Sequence, residues 1–391
     1  MPATVISREE ELHWLALRLV PGLGARGATQ LIERFRTPQA VFRASRSELE
    51  AAGAGGTAAQ SIASGCSFDE AVEQQEKMGA VGAMLMPLAD PRYPSRLREI
   101  FDPPLVLFAR GRLELLGSVI LGVVGTRRPT PYGMAATERL AADLARAGLT
   151  IASGMARGID TAAHKGALAT GGDTVAVLGC GVDVVYPSEN RRLAAELAEK
   201  GLLLSEFPLG SPAYPQNFPI RNRIISGMSA GVLVVEGAQY SGSAITARLA
   251  VEQGREVFAV PGNITSKMSW GPNLLIKQGA HLVQEWNDVV SALPAEDRRR
   301  LIAEGRNRLL EKGIENGGTS VEEQASLSLG PSGEAGRRLL AILKPDSPKH
   351  LDDLMSEAEG FTSSEVIAAL FELEMLGLVR QLPGRNFAKV W

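Results

Sequence analysis

Between residues 119 and 293 the sequence alternates short β-branched apolar runs with amphipathic helical stretches, and no other feature limits the possible folds as strongly. The runs occupy 119–124, 149–152, 174–178, 202–205, 232–235, 257–260 and 281–283; stretches such as 135–147 and 244–253 have helical length and spacing. Apolar strands separated by helices predict βαβ units and a parallel, doubly wound α/β sheet covered on both faces. Segment 82–118, punctuated by Pro91, Pro94, Pro103 and Pro104, is expected to pack as an extension on the sheet edge.

The flanks read differently. In the first 75 residues, apolar helices at 12–20 and 28–35 are joined by Pro21-Gly22-Leu23-Gly24, and Gly53-Ala54-Gly55-Gly56 precedes a further helix pair. Glycine supplies positive φ at such turns, so helix–turn–helix hairpins are predicted. Residues 296–333 run from Arg298-Arg299-Arg300 through Asn316-Gly317-Gly318-Thr319-Ser320 to Gly330-Pro331-Ser332-Gly333, a partly helical linker ending in flexible chain. Helical segments at 335–343, 351–358 and 363–376, then a hairpin turned by Pro383-Gly384-Arg385-Asn386, follow winged-helix order. The expected domains are 1–80, 81–295 and 334–391, with 296–333 as the linker.

Composition excludes several classes of protein. Hydrophobic residues make up 45% of the 391 and charged residues 22%, too apolar for a disordered chain. No continuous apolar run reaches the roughly 18 residues of a membrane span. Glu9-Glu10-Glu11 stands where a signal peptide would place basic and then apolar residues, so a cytoplasmic protein with no membrane partner is expected. Cys66 and Cys180 are the only cysteines, too few for a disulfide framework or a cysteine zinc site, and no metal is expected. The net charge of −3 divides into −2, +2, −1 and −2 over 1–80, 81–295, 296–333 and 334–391. A polyanion would therefore be held by placed arginines and backbone amides rather than by a global field.

In a doubly wound sheet, ligands bind where the carboxyl ends of the strands lead into helix N-termini. The loops there carry Gly125-Thr126-Arg127-Arg128-Pro129, Ser153-Gly154-Met155-Ala156-Arg157-Gly158, Gly179-Cys180-Gly181, Glu236-Gly237-Ala238-Gln239-Tyr240-Ser241-Gly242-Ser243 and Pro261-Gly262-Asn263. Glycine lets a phosphate approach the backbone, and unpaired amides at helix starts favour an anion. Tight turns alone account for any single loop; the arginines make a phosphate surface the better reading of the set. Asn217-Phe218-Pro219-Ile220-Arg221-Asn222-Arg223 adds two guanidiniums for phosphate, amides for base edges and a ring for stacking. The alternative is a helix start capped by Asn217, with the arginines in ion pairs. Arg221 and Arg223 cannot face the same way on a regular helix.

Reaction machinery is thin. His164 lies at helical spacing from Asp160, more often a helix-stabilising contact than an acid–base couple. No G-x-x-x-x-G-K-[ST] loop occurs, Gly125 does not begin a G-x-G-x-x-G, and Cys180 reads as a packing residue.

The motifs together resemble the DprA (Smf, DNA-processing protein A) family. They are Val124-Gly125-Thr126-Arg127, the run from Ser153 to His164, Ala176 to Asp183, Tyr186-Pro187, Asn217 to Ser229, Ser241-Gly242-Ser243 with Thr246-Ala247, Ala259 to Gly262, and Gly271 to Ile276. Thr126 stands where the family commonly has serine. The resemblance implies an extended Rossmann-like domain, flanked by an N-terminal SAM-like helical domain with a helix-hairpin-helix at 19–24 and by a C-terminal winged helix. It implies a non-catalytic protein without cofactor that binds single-stranded DNA and loads the RecA recombinase onto it in natural transformation. Such proteins displace or work alongside single-strand-binding protein and form a homodimer through the Rossmann-like domain. The nucleic-acid-binding residues so expected are Gly125, Thr126, Arg127, Ser153, Gly154, Gly179, Gly181, Asn217, Phe218, Arg221, Asn222, Arg223, Ser241, Gly242 and Ser243. A rival reading, a phosphoribohydrolase-like nucleotide-cleaving enzyme, needs a P-G-G-x-G-T-x-x-E loop. The comparable stretch, 240–246, has no glutamate before Glu252.

Overall fold

The computed structural model describes residues 6–239, 241–315, 333–344, 347–358, 360–375, 378–382 and 384–389. The glycine-rich part of the expected linker, 316–332, and the residues Tyr240, Leu376 and Pro383 lie outside them. The chain forms two compact units, Met1–Pro294 and Ala295–Trp391.

The first unit begins with six helices: α1 (Arg8–Leu19), α2 (Ala25–Phe35), α3 (Pro38–Arg43), α4 (Arg46–Ala51), α5 (Gly56–Ser64) and α6 (Phe68–Val81). Their ends follow from local chemistry. The Ser7 hydroxyl accepts the Glu10 N–H at the start of α1, Ser45 and Glu48 form a capping box on α4, and Gly65 and Gly82 close α5 and α6 in the left-handed conformation.

A nine-stranded sheet follows, in the order β1-β2-β6-β5-β4-β3-β7-β8-β9. Its strands are β1 (Met84–Pro87), β2 (Val106–Gly111), β3 (Ile120–Val124), β4 (Thr150–Ser153), β5 (Thr174–Leu178), β6 (Leu202–Ser205), β7 (Gly231–Val234), β8 (Glu256–Ala259) and β9 (His281–Leu282). The helices between them are α7 (Ser95–Arg98), α8 (Pro131–Arg146), α9 (Ile159–Ala169), α10 (Arg191–Lys200), α11 (Asn217–Met228), α12 (Gly242–Glu252), α13 (Trp270–Lys277) and α14 (Trp286–Ala292). From β6 to β9 all neighbours are parallel, and β3 to β7 are buried along their whole length, as a sheet covered on both faces requires. The prolines at 91, 94, 103 and 104 fall outside two short antiparallel strands, β1 and β2, which extend the sheet beyond β6.

The chain runs outward from β3 to β6, then returns through α11 to lay β7 on the other side of β3. The switch point lies between β3 and β7, where strands with this topology open a crevice. One core packs Ile224 and Ile225 of α11 and Ala247 of α12 against Ile120, Val124, Val175 and Val232. A second joins Trp14, Leu17, Leu31 and Ile62 of the N-terminal helices to Leu85, Val106 and Phe108, so helices and sheet share apolar interior.

The second unit holds α15 (Ala295–Glu315), α16 (Gly333–Ile342), α17 (Leu351–Glu357) and α18 (Ser363–Met375). A small antiparallel sheet of β10 (Lys349–His350), β12 (Asn386–Lys389) and β11 (Val379–Leu382) completes it, and Leu339, Leu354, Val366, Leu370 and Phe387 form its core. Helices, then a hairpin paired with a short strand, make a winged helix. Among the described residues no helix is long and apolar enough to cross a membrane.

Candidate functional site

The segment 217–223 forms the first two turns of α11, and the helical period separates its two arginines. Arg221 points beneath the loop after β4. It is 4% exposed, yet among the described residues its guanidinium has no hydrogen-bond or ion-pair partner, and its Nε is buried. A buried ion is normally paired, so an unpaired buried arginine marks a place for an anion. The sequence makes room for it: a side chain at Gly154 would overlap the Arg221 guanidinium.

Phe218, half-buried one turn earlier, carries the Arg221 Cζ at 6.0 Å from its ring centroid and that of exposed Arg127 at 5.1 Å. Tyr186, 41% exposed, lies 5.5 Å from the same ring with the planes 34° apart. A Cβ at Gly179 would press on Phe218 at 3.0 Å, so that glycine seats the ring. Burial lowers the Arg221 pKa from its ordinary value against the attraction of Asp160, and neighbouring Arg127 lowers it further. Two cations and two rings thus share one mouth.

The other expected residues divide by what already holds them. Arg223 is a structural residue: its Nη2 pairs with Glu206 Oε2 at 2.6 Å and its Nε with Asp102 Oδ2 at 3.1 Å, and both Arg223 and Glu206 are buried. The Asn217 amide donates to the Gly179 and Pro212 carbonyls at 3.0 and 3.4 Å, fixing the start of α11 to the loop after β5. Ser153 is fully buried and donates to the Val123 carbonyl at 2.6 Å. Gly181 donates its N–H to the Ser211 carbonyl, and a side chain there would overlap Asp183. A Cβ at Gly125 would meet Ile159 at 2.5 Å, so this glycine admits α9 rather than a ligand. Thr126 turns its hydroxyl back to the Arg128 N–H at 3.2 Å.

Ser241 caps α12 and shares a 2.7 Å hydrogen bond with buried Ser243, while the Asn222 amide reaches the Gly242 carbonyl at 3.5 Å. The expected residues that the structure brings together are therefore Arg127, Gly154, Gly179, Phe218 and Arg221. Tyr186 joins them, and sequence reasoning had quoted it only within a motif.

Asp160 was also missed as a site residue. Its carboxylate accepts the Gly154 and Ala156 N–H groups at 3.2 and 3.3 Å, so these amides bind a protein carboxylate instead of a phosphate. Burial raises its pKa, partly countered by Arg221. His164, at helical spacing from Asp160, bonds elsewhere. Its Nδ1–H donates to Thr174 Oγ1 at 2.7 Å, because that hydroxyl's own proton goes to the Ile151 carbonyl. Burial holds the imidazole down to about 3 and pushes the Cys180 thiol up to about 11. Neither group is in a state to take a proton or attack a substrate near neutral pH.

At the switch point the fold's usual phosphate position, the N-terminus of the helix after the first parallel strand, is filled from within. The Glu236 carboxylate, 2% exposed, accepts the Thr130 N–H at 2.9 Å and the Thr130 hydroxyl at 2.5 Å, and a side chain at Gly133 would overlap it. An internal carboxylate there repels a pyrophosphate.

Residues 84–294 match the family model described as DNA recombination-mediator protein A, and residues 323–385 match the one described as DprA winged helix domain. The chain is 42% identical to Protein Smf of Escherichia coli (strain K12) over 301 residues, 77% of this chain and 76% of that protein. It is 34% identical to Protein Smf of Synechocystis sp., across 98% of this chain and 100% of the other. Among solved structures it is similar to DNA processing protein A (DprA) from Streptococcus pneumoniae. The TM-score is 0.63 with 33% identity, over 74% of this chain and 99% of that one.

Proposed function

The chain belongs to the DNA recombination-mediator protein A (DprA/Smf) family, and from that premise we propose that it is a non-catalytic protein that binds single-stranded DNA and delivers it to the RecA recombinase. The observation that carries the reading is Arg221, a buried guanidinium with no hydrogen-bond partner among the described residues, lying in the space that a side chain at Gly154 would fill. A phosphate there gains charge-assisted hydrogen bonds from a group that has already paid its desolvation. Arg127 takes a neighbouring phosphate from the exposed side. The Phe218 and Tyr186 rings favour an unstacked base, which a single strand presents and a duplex hides. With only placed cations, affinity rests on a few contacts, each contributing about 0.7 to the salt slope for a single strand.

The test is binding of labelled single-stranded and duplex oligonucleotides by the full chain at several salt concentrations. The reading expects a clear single-strand preference with a shallow slope; equal duplex affinity would count against it. Delivery to RecA is tested by filament assembly on strands covered with single-strand-binding protein, which this protein is expected to accelerate. We also propose a homodimer through the Rossmann-like domain, testable by sedimentation of residues 1–294, a boundary that keeps the shared core of helices and sheet intact. The winged helix is assigned to protein contacts, because α18 exposes Glu365 and Ile367 and its sequence carries no basic residue. Against the nucleotide-cleaving alternative stand buried His164 and Cys180 and the absence of a glutamate at 240–246. Release of free base from nucleoside monophosphates would revive it.

A further inference from the structure

The loop joining β3 to α8 borders two spaces. Arg127 faces the Phe218 pocket, whereas Thr130 and Tyr132, a few residues on, line a second cleft of about 480 Å³ at the switch point between β3 and β7. Its other walls are Glu236 after β7 and Pro261 to Ser269 after β8. That volume falls within the range of small-ligand pockets, and the switch point is where such ligands enter doubly wound sheets.

The cleft is built rather than accidental. Asn273 clamps Gly262 from both sides, accepting its N–H at 3.1 Å and donating to its carbonyl at 3.0 Å. The Gly237 N–H ties the far end of the same loop through the Met268 carbonyl at 2.7 Å. The Tyr132 hydroxyl donates to the Pro261 carbonyl at 2.9 Å, holding its 53% exposed ring at the cleft wall. Among the described residues no lysine or arginine lines the space, and its only charged group is the Glu236 carboxylate. Such a lining repels phosphate and accepts N–H donors.

From this arrangement, and resting on the single-strand reading above, we infer that the cleft is a nucleobase subsite. A base inserts beside the Tyr132 ring with its N–H edge toward Glu236, while its phosphates stay outside on Arg127 and Arg221. Guanine is the preferred occupant, because it presents two adjacent donors, N1–H and N2–H, to a carboxylate whose oxygens each retain a lone pair beyond the Thr130 contacts. Thymine presents one donor, and an abasic sugar none. The chemistry is that of a purine base, and its source is either the bound strand or a free nucleoside.

The test uses the full-length protein with thymidine oligonucleotides in which one position at a time is guanine or abasic, and with deoxyguanosine alone in a calorimeter. At one register, guanine is expected to tighten binding about tenfold, within the range of a two-donor base contact, and the abasic residue to weaken it. Tyr132→Ala is expected to bring the guanine strand's affinity to that of the all-thymidine strand measured with the same variant; Tyr132→Phe, which keeps the ring, is expected to retain most of the difference. Calorimetric binding of deoxyguanosine that Tyr132→Ala abolishes, without register dependence in strands, supports the site with a free nucleoside as its source. Uniform affinity at every register together with no deoxyguanosine heat overturns the inference, as does a guanine advantage that survives Tyr132→Ala. Failure of the single-strand reading itself shows separately, as an all-thymidine affinity that is absent or indifferent to Arg221→Met.

Discussion

Arg221 and Arg223 are two residues apart on α11, carry the same charge and are both buried, yet the structure assigns them opposite roles that methionine substitution separates. Arg223→Met leaves Glu206, 5% exposed, without the cation that now sits 2.6 Å from it. Removing one partner of a buried ion pair costs about 3–5 kcal/mol, enough to threaten the fold of a typical domain. Arg221→Met removes a cation with no hydrogen bond to lose. Its nearest anion, Asp160, keeps the Gly154 and Ala156 amides, and the lowered pKa of Arg221 and raised pKa of Asp160 both have burial as their largest cause. Lost attraction and relieved desolvation oppose each other, so stability is expected to stay within about 1 kcal/mol of the parent.

DNA binding moves the other way. Hydrogen bonds to a charged group are worth about 1.5–3 kcal/mol, so Arg221→Met is expected to weaken single-strand affinity roughly 10- to 100-fold and to reduce the salt slope by about 0.7. Urea denaturation and fluorescence anisotropy with a labelled thymidine oligonucleotide, run on both variants, read the two effects. If Arg221→Met unfolds as readily as Arg223→Met, or binds DNA like the parent, the assignment of Arg221 to phosphate binding is wrong.

Three further outcomes follow from the same geometry. Gly154→Ala puts a methyl group where the Arg221 guanidinium lies, and is expected to weaken binding about as much as Arg221→Met does, at unchanged net charge, measured by anisotropy. Arg127→Ala, at an exposed position with no ion pair among the described residues, is expected to flatten the salt slope by about 0.7 with an unaltered denaturation midpoint. His164 gives a pH signature. Its folded pKa of about 3 lies below the ordinary 6.5, so the unfolded chain binds a proton that the fold excludes. The neutral ring's contribution is fully present above pH 6.5 and is lost as pH falls toward 3, by about 1.4 kcal/mol per unit. His164→Gln should remove that part of the slope in urea denaturation followed against pH; an unchanged slope refutes the buried neutral imidazole.

The parallel sheet was legible because its signal is local: β-branched runs bounded by glycine, with helical spacing between them. β5 and β6 fall where periodicity places them, β4, β7 and β8 are displaced by a residue, and β3 and β9 are a residue shorter. The strand order could not be read, since it depends on which way each crossover runs. Arg127 was visible as an arginine in a glycine-rich loop, and Phe218 and Arg221 as the aromatic and basic members of the segment 217–223. What sequence could not resolve was which polar groups the protein keeps for itself. Ser153, Asn217 and Arg223 look like ligands in the chain, and each is held by a partner 17 to 38 residues away. Asp160 was read as a helix contact of His164 and Glu236 as part of a glycine-rich loop, although each carboxylate accepts backbone N–H groups that an anionic ligand would otherwise take. An acid just inside a helix that follows a glycine-rich loop was the available signal for Asp160.

A crystal structure of the full chain with a short thymidine oligonucleotide tests the central claim most directly. The account predicts a phosphate oxygen within hydrogen-bond distance of the Arg221 guanidinium, a second phosphate at Arg127, and a base against the Phe218 ring. A strand bound elsewhere, with the Arg221 guanidinium still unpaired beneath Gly154, would contradict it.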